Sequence, residues 1–194
     1  MRLWGNLIKA GLLMGAVSTS SATAETIVVE DFREGAVDLR WQIVNDSVMG
    51  GISNSRLDRI DDEVVRFSGR LRLENNGGFA SMRSAGNVPD MGDANAIMIR
   101  VKGDGRRYQL RLRTGEGWRT PDYSAEFATK LGEWQTVALP LDKFVAGWRG
   151  RTLRGAPPLD STAIRSVGIL LGDKQPGGFL LEIDWIKAVA MDEA

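Results

Sequence analysis

The 194-residue sequence contains no cysteine and no histidine. Without cysteine the chain forms no disulfide, and without either residue most zinc, copper and haem sites are excluded. Catalysis by a Ser-His-Asp triad or a Cys-His pair is excluded as well. Acid–base chemistry would depend on Asp, Glu, Lys or Tyr, and no pair of carboxylates is marked by its spacing. We therefore predict no cofactor, no metal site and no enzymatic activity, with a hydrolase that uses Asp and Glu as the least favoured alternative.

The sequence has no excess of positive or negative charge. Its 25 basic and 25 acidic side chains give a formal net charge of zero. Proteins that bind the phosphate backbone of nucleic acids present a strongly basic surface, so we expect no nucleic-acid partner. Two acidic turns, at 58–63 and 90–95, contain oxygen ligands that suit Ca²⁺. Neither turn has the length or spacing of a known calcium loop.

The first residues have the pattern of a secretory signal peptide. Arg2 and Lys9 supply positive charge, 10–17 is a short apolar run, and Ala22-Thr23-Ala24 fits the cleavage pattern. The run is much shorter than the stretch of about 20 apolar residues that spans a bilayer. We predict a cleaved signal over residues 1–24, a single domain over 25–194 without a membrane span, and a periplasmic location.

Long helical patterns are missing from the remaining chain, and alternation with a period of two dominates. Apolar and polar residues alternate over 97–102, 108–113 and 179–186, which is typical of half-buried strands. We expect further strands near 27–32, 41–44, 65–73, 78–83, 123–127, 134–139 and 167–171, with short helical turns at 141–144 and 161–165. About ten short strands in one domain predict an all-β, antiparallel jelly-roll β-sandwich.

The turn at 102–106 contains Gly103 and Gly105 between two alternating runs and predicts a hairpin. Arg111 and Arg113 then lie on the polar face of its second strand, with Arg100 opposite them. Such a basic face can bind a carboxylate or a sugar acid. The alternative is a solvated sheet face on which acidic residues such as Glu182 or Asp184 pair with the arginines.

Composition and periodicity do not account for the stretch Asn45-Asp46-Ser47-Val48-Met49-Gly50-Gly51-Ile52-Ser53. Its paired glycines allow positive φ or close approach to another surface, and Asp46 and Ser53 can bond nearby backbone groups. In one interpretation this is a binding loop with free glycine N–H groups and Asp46 as an acceptor. In the other it is a buried turn that Asp46 caps. Met49 either fills the core or presents a soft contact surface.

Five tryptophans follow the predicted signal. Trp41, Trp134 and Trp185 lie in strand patterns, and we expect them in the core. Trp118 and Trp148 lie in predicted loops, where a large aromatic ring stacks on a sugar or anchors a protein partner. The alternative for these two is that they fold back onto the edge of the sandwich.

The stretch at 45–53 resembles the signature of the CIA30 family, the group around the complex I intermediate-associated protein. Further segments that resemble the family occur in its order, at 76–81, 101–113, 134–144, 149–151 and 169–179. The resemblance implies a galactose-binding-domain-like β-sandwich. It also implies a role in assembly, because the best-known eukaryotic members assist the assembly of respiratory complex I.

We therefore predict an exported, monomeric, non-enzymatic binding or assembly module whose partner is a protein, with a subunit of a membrane complex as one candidate. Carbohydrate binding through the loop tryptophans and the basic strand face is the alternative. The predicted binding residues are Asn45, Asp46, Met49, Gly50, Gly51, Ser53, Arg111, Arg113, Trp118, Trp148, Arg149 and Arg151.

Overall fold

The chain folds as two antiparallel sheets packed face to face, in a computed structural model that describes residues 26–35, 39–115, 120–148 and 151–191. The predicted all-β sandwich is confirmed. The predicted signal segment, Trp118 and Arg149 lie outside the described residues. The strands are β1 (Thr26–Glu30), β2 (Trp41–Ile43), β3 (Asn54–Arg59), β4 (Val65–Leu71), β5 (Ala80–Ser84), β6 (Ala96–Lys102), β7 (Arg107–Arg113), β8 (Asp122–Ala128), β9 (Trp134–Pro140), β10 (Val145–Trp148), β11 (Arg151–Thr152), β12 (Ser166–Leu171) and β13 (Gly177–Val189).

The first sheet has the order β3-β4-β13-β6-β9, and β1 pairs with the end of β13 beyond β4. The second sheet has the order β11-β10-β8-β7-β12-β5-β2. Short 3-10 helices lie at Asp46–Met49, Glu74–Asn76, Leu141–Lys143 and Ser161–Ala163, and the last two coincide with the predicted helical turns. Across the ranges that the structure describes, no helix has the length and apolarity to cross a membrane.

The core lies between the sheets and is built by the alternating apolar residues. Ile97 and Ile99 of β6 and Leu110 and Leu112 of β7 are fully buried. Burial of each such side chain contributes about 1.5–3 kcal/mol. Phe67 and Phe179 also pack within this core, with ring centroids 5.0 Å apart.

The predicted hairpin at 102–106 is wrong, because β6 and β7 belong to different sheets. The turn carries the chain from one sheet to the other, so the apolar faces of both strands point into the space between them. Asp104 holds the turn in place by accepting hydrogen bonds from the Tyr108 hydroxyl at 3.1 Å and from the Leu180 N–H at 2.9 Å. Arg100 is consequently not opposite Arg111 and instead pairs with Asp184 at 2.8 Å.

Two tryptophans expected in the core face outward, whereas Trp41 packs against the core as predicted. A β-bulge between Ile183 and Trp185 reverses the alternation of β13, so that Trp185 points away from the core. Its ring lies 4.3 Å from Lys187 Nζ. Trp134 is 37% exposed on the same sheet.

Candidate functional site

The loop between β2 and β3 is organised around a carboxylate that no solvent reaches. Asp46 is 0% exposed. Its Oδ1 accepts the Ser53 N–H at 2.9 Å, and its Oδ2 accepts the Ser53 hydroxyl at 2.6 Å. Oδ2 also accepts the backbone N–H groups of Gly78 at 2.7 Å and Phe79 at 3.4 Å. Asp46 therefore ties both ends of its own loop to the turn before β5.

The neighbours of Asp46 extend this hydrogen-bond network. Ser53 Oγ accepts the Arg72 N–H at 2.9 Å, and Asn45 Oδ1 accepts the Ser55 hydroxyl at 2.7 Å. Burial disfavours the charged form of Asp46, but the hydrogen bonds from Ser53 and from backbone N–H groups outweigh it and lower the pKa of this carboxyl. Of the two roles that the sequence left open for Asp46, the geometry supports the structural turn.

The two glycines of the loop also serve its closure. The Gly50 N–H donates to Ser47 O at 3.1 Å and the Gly51 N–H to Asp46 O at 3.0 Å, so these amides are not free for a ligand. Gly50 has φ +89°, a conformation that favours glycine. A Cβ on Gly51 would lie 2.4 Å from Asp46 Cγ, so no side chain fits there. Of the two interpretations of this loop, the one with free glycine N–H groups is therefore not supported by the geometry.

The outer part of the loop is apolar and exposed. The exposed fractions are 69% for Val48, 63% for Met49 and 45% for Ile52. Met49 thus presents a contact surface and does not fill the core. We call Val48, Met49 and Ile52 the loop tip. Of these three residues, only Met49 was predicted as a binding residue. The sequence does not show that the side chains of Val48 and Ile52 point into solvent.

Arg111 and Arg113 lie on the face of β7 that points away from the core. Their acidic partner is Asp122 of β8, whose carboxylate hydrogen bonds both Nε and an NH group of Arg113. Arg111 Nη1 is 3.6 Å from Asp122 Oδ2. The suggested partner Glu182 lies in the other sheet, where it pairs with different cations.

Arg83 of β5 joins this face, although sequence analysis did not connect it with β7. The register pairs Arg83 with Gly168 of β12 and Gly168 with Arg111 of β7, so the three residues form one row across the sheet. Burial and the nearby charge of Arg113 lower the pKa of Arg83. Burial also lowers the pKa of Arg111, although Asp122 opposes this. We call Arg83, Arg111 and Arg113 the arginine cluster.

Further along the same face is a shallow polar pocket lined by Arg107, Gln109, Glu126, Gly172, Asp173 and Gln175. Near the β11 edge of the second sheet, Trp148 of β10 is the register partner of Arg151 of β11. Trp148 is partly exposed and Arg151 is exposed. Within the described ranges, no three Asp or Glu side chains come together closely enough to hold a metal ion.

The chain is an antiparallel β-sandwich with an exposed apolar loop tip and a charged face on its second sheet. Among solved structures it is similar to the family 11 carbohydrate-binding module from Clostridium thermocellum, determined with a β-1,3-1,4-mixed-linked tetrasaccharide. The TM-score is 0.63 with 17% sequence identity, over 90% of this chain and 100% of that one. At this identity the likeness establishes the fold alone.

The sequence profile of the family described as Complex I intermediate-associated protein 30 (CIA30) matches residues 30–183, and the chain belongs to this family. The mouse protein named Complex I intermediate-associated protein 30, mitochondrial, is 30% identical over 181 residues. Its Drosophila melanogaster namesake is 25% identical over 209 residues. The alignments cover 82% and 96% of this chain, but only 55% of the mouse protein and 70% of the fly protein.

The predicted periplasmic location is contradicted by these relatives. Both carry the word mitochondrial in their names. The prediction depended on the charged and apolar pattern of residues 1–24, which lie outside the described residues. The cleaved signal over residues 1–24 stays a prediction.

Proposed function

We propose that this protein is a non-enzymatic assembly module that binds a protein partner during the assembly of respiratory complex I. Family membership supports the proposal, because the mouse and fly relatives are named for association with a complex I intermediate. The chain spans about half of the mouse protein, so the partner subunit is assigned by experiment and not by homology.

The observation that carries the proposal is the loop tip. Three large apolar side chains point into solvent from a loop whose Asp46 and Ser53 side chains are hydrogen bonded inside the protein. Apolar patches on a soluble surface mark interaction sites, and methionine adapts its shape to a partner. A rigid support also reduces the conformational entropy lost on binding. The buried Asp46 therefore serves binding indirectly, by fixing the loop that presents Met49.

The test is complementation of a strain from which the gene has been deleted. Complex I and its intermediates are separated on native gels and stained for NADH dehydrogenase activity. We expect wild type to restore the mature complex and the double variant Val48→Ser/Met49→Ser to leave an intermediate. Leu131→Ser is the matched control, because Leu131 is 78% exposed and lies outside this loop.

A photo-crosslinking amino acid at position 49 identifies the partner directly. We expect one complex I subunit or assembly protein to be captured from position 49 and not from position 131. Full restoration by the double variant, with no position-49 crosslink to a protein of the complex I assembly route, would overturn the proposal.

A further inference from the structure

The arginine cluster contains more positive charge than its surroundings neutralise. Within the described part of the chain, Asp122 is the one carboxylate that pairs with it. Asp122 is already hydrogen bonded twice by Arg113. Among the same residues, no carboxylate pairs with the Arg83 guanidinium. Three cations therefore share one anion on a single face of the second sheet.

The guanidinium of Arg111 has too few hydrogen-bond acceptors among the described residues. Its Nε is buried and has no hydrogen-bond partner among the described residues. Its Nη1 is 3.6 Å from the nearest Asp122 oxygen, which is longer than a hydrogen bond. A buried donor without an acceptor is unfavourable by about 1–3 kcal/mol. A second carboxylate beside Asp122 would supply the missing acceptor once the guanidinium turns towards it.

Several other cations among the described residues have a carboxylate partner. Glu182 is paired with both Arg66, at 2.6 Å, and Lys102, at 2.7 Å. Arg106 is paired with Asp173 through two hydrogen bonds, at 2.9 and 2.6 Å. In the arginine cluster, by contrast, Arg83 has no carboxylate partner among the described residues, and Arg111 is left with the longer contact to Asp122.

Gly168 contributes no side chain to the row between the arginines, but it is buried, and a Cβ there would lie 2.9 Å from Met82 O. It lies on the strand between Arg83 and Arg111, and its missing side chain would point to the same outer face as theirs. Because neighbouring strands are about 4.8 Å apart, the two arginine Cα atoms are about 10 Å apart. Two long flexible side chains can meet at one carboxylate across this distance, and arginine binds carboxylates with two parallel hydrogen bonds.

We propose that the arginine cluster binds the carboxylates of an acidic segment of the protein partner. This inference rests on the proposed function for the existence of that partner. An extended peptide places alternate side chains on one face about 7 Å apart, a spacing that the two arginines can span.

The composition of the face favours a peptide over an acidic sugar. The outward-facing residues of β5, β7, β8 and β12 that the structure describes include no aromatic ring on which a pyranose could stack. They are Ser81, Arg83, Arg107, Gln109, Arg111, Arg113, Asp122, Ser124, Glu126, Ala128, Ser166, Gly168 and Leu170.

The test is titration of the ¹⁵N-labelled protein with the peptide acetyl-Asp-Gly-Asp-Gly-Asp-amide. We expect amide shifts at Arg83, Arg111 and Gly168 and a shift of the Arg111 Nε–H signal. Arg83→Gln should weaken binding about tenfold, the value of one lost charge-assisted hydrogen bond. The matched control Arg70→Gln, on an exposed arginine of the first sheet, should bind as wild type does.

Three outcomes would overturn the inference: equal binding of the Asn-for-Asp peptide, equal binding of inorganic phosphate, or tighter binding of digalacturonate. The first outcome would show that binding does not depend on the carboxylates of the peptide. The second would indicate a general anion site, and the third would indicate a sugar site. The amide spectrum of Arg83→Gln shows directly whether the variant is folded. If the acidic peptide fails to bind while Val48→Ser/Met49→Ser still blocks complex I assembly, the inference alone fails. If the peptide binds, that double variant assembles complex I normally and position 49 gives no crosslink to the assembly route, the proposed function fails.

Discussion

Ser53 holds both oxygens of the Asp46 carboxylate, with its hydroxyl on Oδ2 at 2.6 Å and its N–H on Oδ1 at 2.9 Å. The two residues are the ends of the loop that carries the apolar tip. Because the ends are joined inside the protein, the segment between them is closed and projects outward. The polar residues of the motif shape the loop, and its apolar residues form its outer surface.

Asp46→Ala is expected to lower the free energy of unfolding by about 3 kcal/mol, since it leaves the buried N–H groups of Ser53 and Gly78 without an acceptor. Urea denaturation measures the change. Asp142→Ala is the matched control, because the Asp142 side chain is 68% exposed and its loss should matter by less than about 0.5 kcal/mol. Equal stability of the two variants would show that the Asp46 carboxylate is not structural.

The same carboxylate predicts a specific pH dependence. The folded-state pKa of Asp46 is lowered, so between that pKa and the unfolded value of about 3.9 the unfolded chain binds more protons. The stabilisation from Asp46 is therefore complete above about pH 4 and is lost as the pH falls through the folded pKa. Asp46→Asn removes this titration. Its free energy of unfolding should decline less steeply between about pH 4 and 2 than that of wild type.

Asp142→Asn is the reference for this experiment, because it removes one exposed carboxylate. It should retain the steepness of wild type. Parallel curves for Asp46→Asn and wild type would contradict the assigned pKa shift.

The adjacent glycines of the loop predict opposite sensitivities to a methyl group. Gly51→Ala places Cβ 2.4 Å from Asp46 Cγ, and this clash requires the buried carboxylate to move. Gly50→Ala meets no atom within 4 Å, so its only penalty is the φ of +89°. We expect a loss of about 1 kcal/mol at position 50 and clearly more, about 3 kcal/mol, at position 51. Thermal unfolding of both variants checks the order, and the reverse order would refute the packing.

The strands of the fold were predictable where alternation is strong and buried. The patterns at 97–102 and 108–113 gave β6 and β7 almost to the residue. The sequence patterns missed three strands. β3 is an edge strand of the first sheet, and β10 and β11 are the last two strands at one side of the second sheet. Side chains at the edge of a sheet are less constrained by a core. The bulge of β13 was invisible as well, because its inserted Asp184 breaks the alternation without any turn residue.

The candidate site was only partly predictable, for a related reason. The motif at 45–53 and the pair Arg111 and Arg113 are local patterns that a sequence displays. Asp122 completes the charged face through the pairing of β7 with β8, and Arg83 through pairings with β12 that are remote in sequence. The sequence likewise does not show which side chains of a loop point inward. Asp46, which is buried, and Met49, which is exposed, were therefore both predicted as binding residues.

Asp104 explains why β6 and β7 separate, and its removal gives the last prediction. Its carboxylate accepts hydrogen bonds from the Arg106 N–H at 3.1 Å, the Tyr108 hydroxyl at 3.1 Å and the Leu180 N–H at 2.9 Å. One side chain thus joins a turn, a strand of the second sheet and a strand of the first. Asp104→Ala should lower the free energy of unfolding by about 2–3 kcal/mol and increase hydrogen exchange at the Leu180 N–H.

Asp104→Asn separates the turn from the sheet junction. An asparagine keeps one oxygen for the Arg106 N–H, but its NH₂ group then faces the Leu180 N–H, which is also a donor. We therefore expect fast exchange at Leu180 in both variants, with a smaller loss of stability for Asn than for Ala. Slow exchange at Leu180 in Asp104→Ala would mean that the β13 ladder alone protects this amide and that Asp104 does not join the sheets.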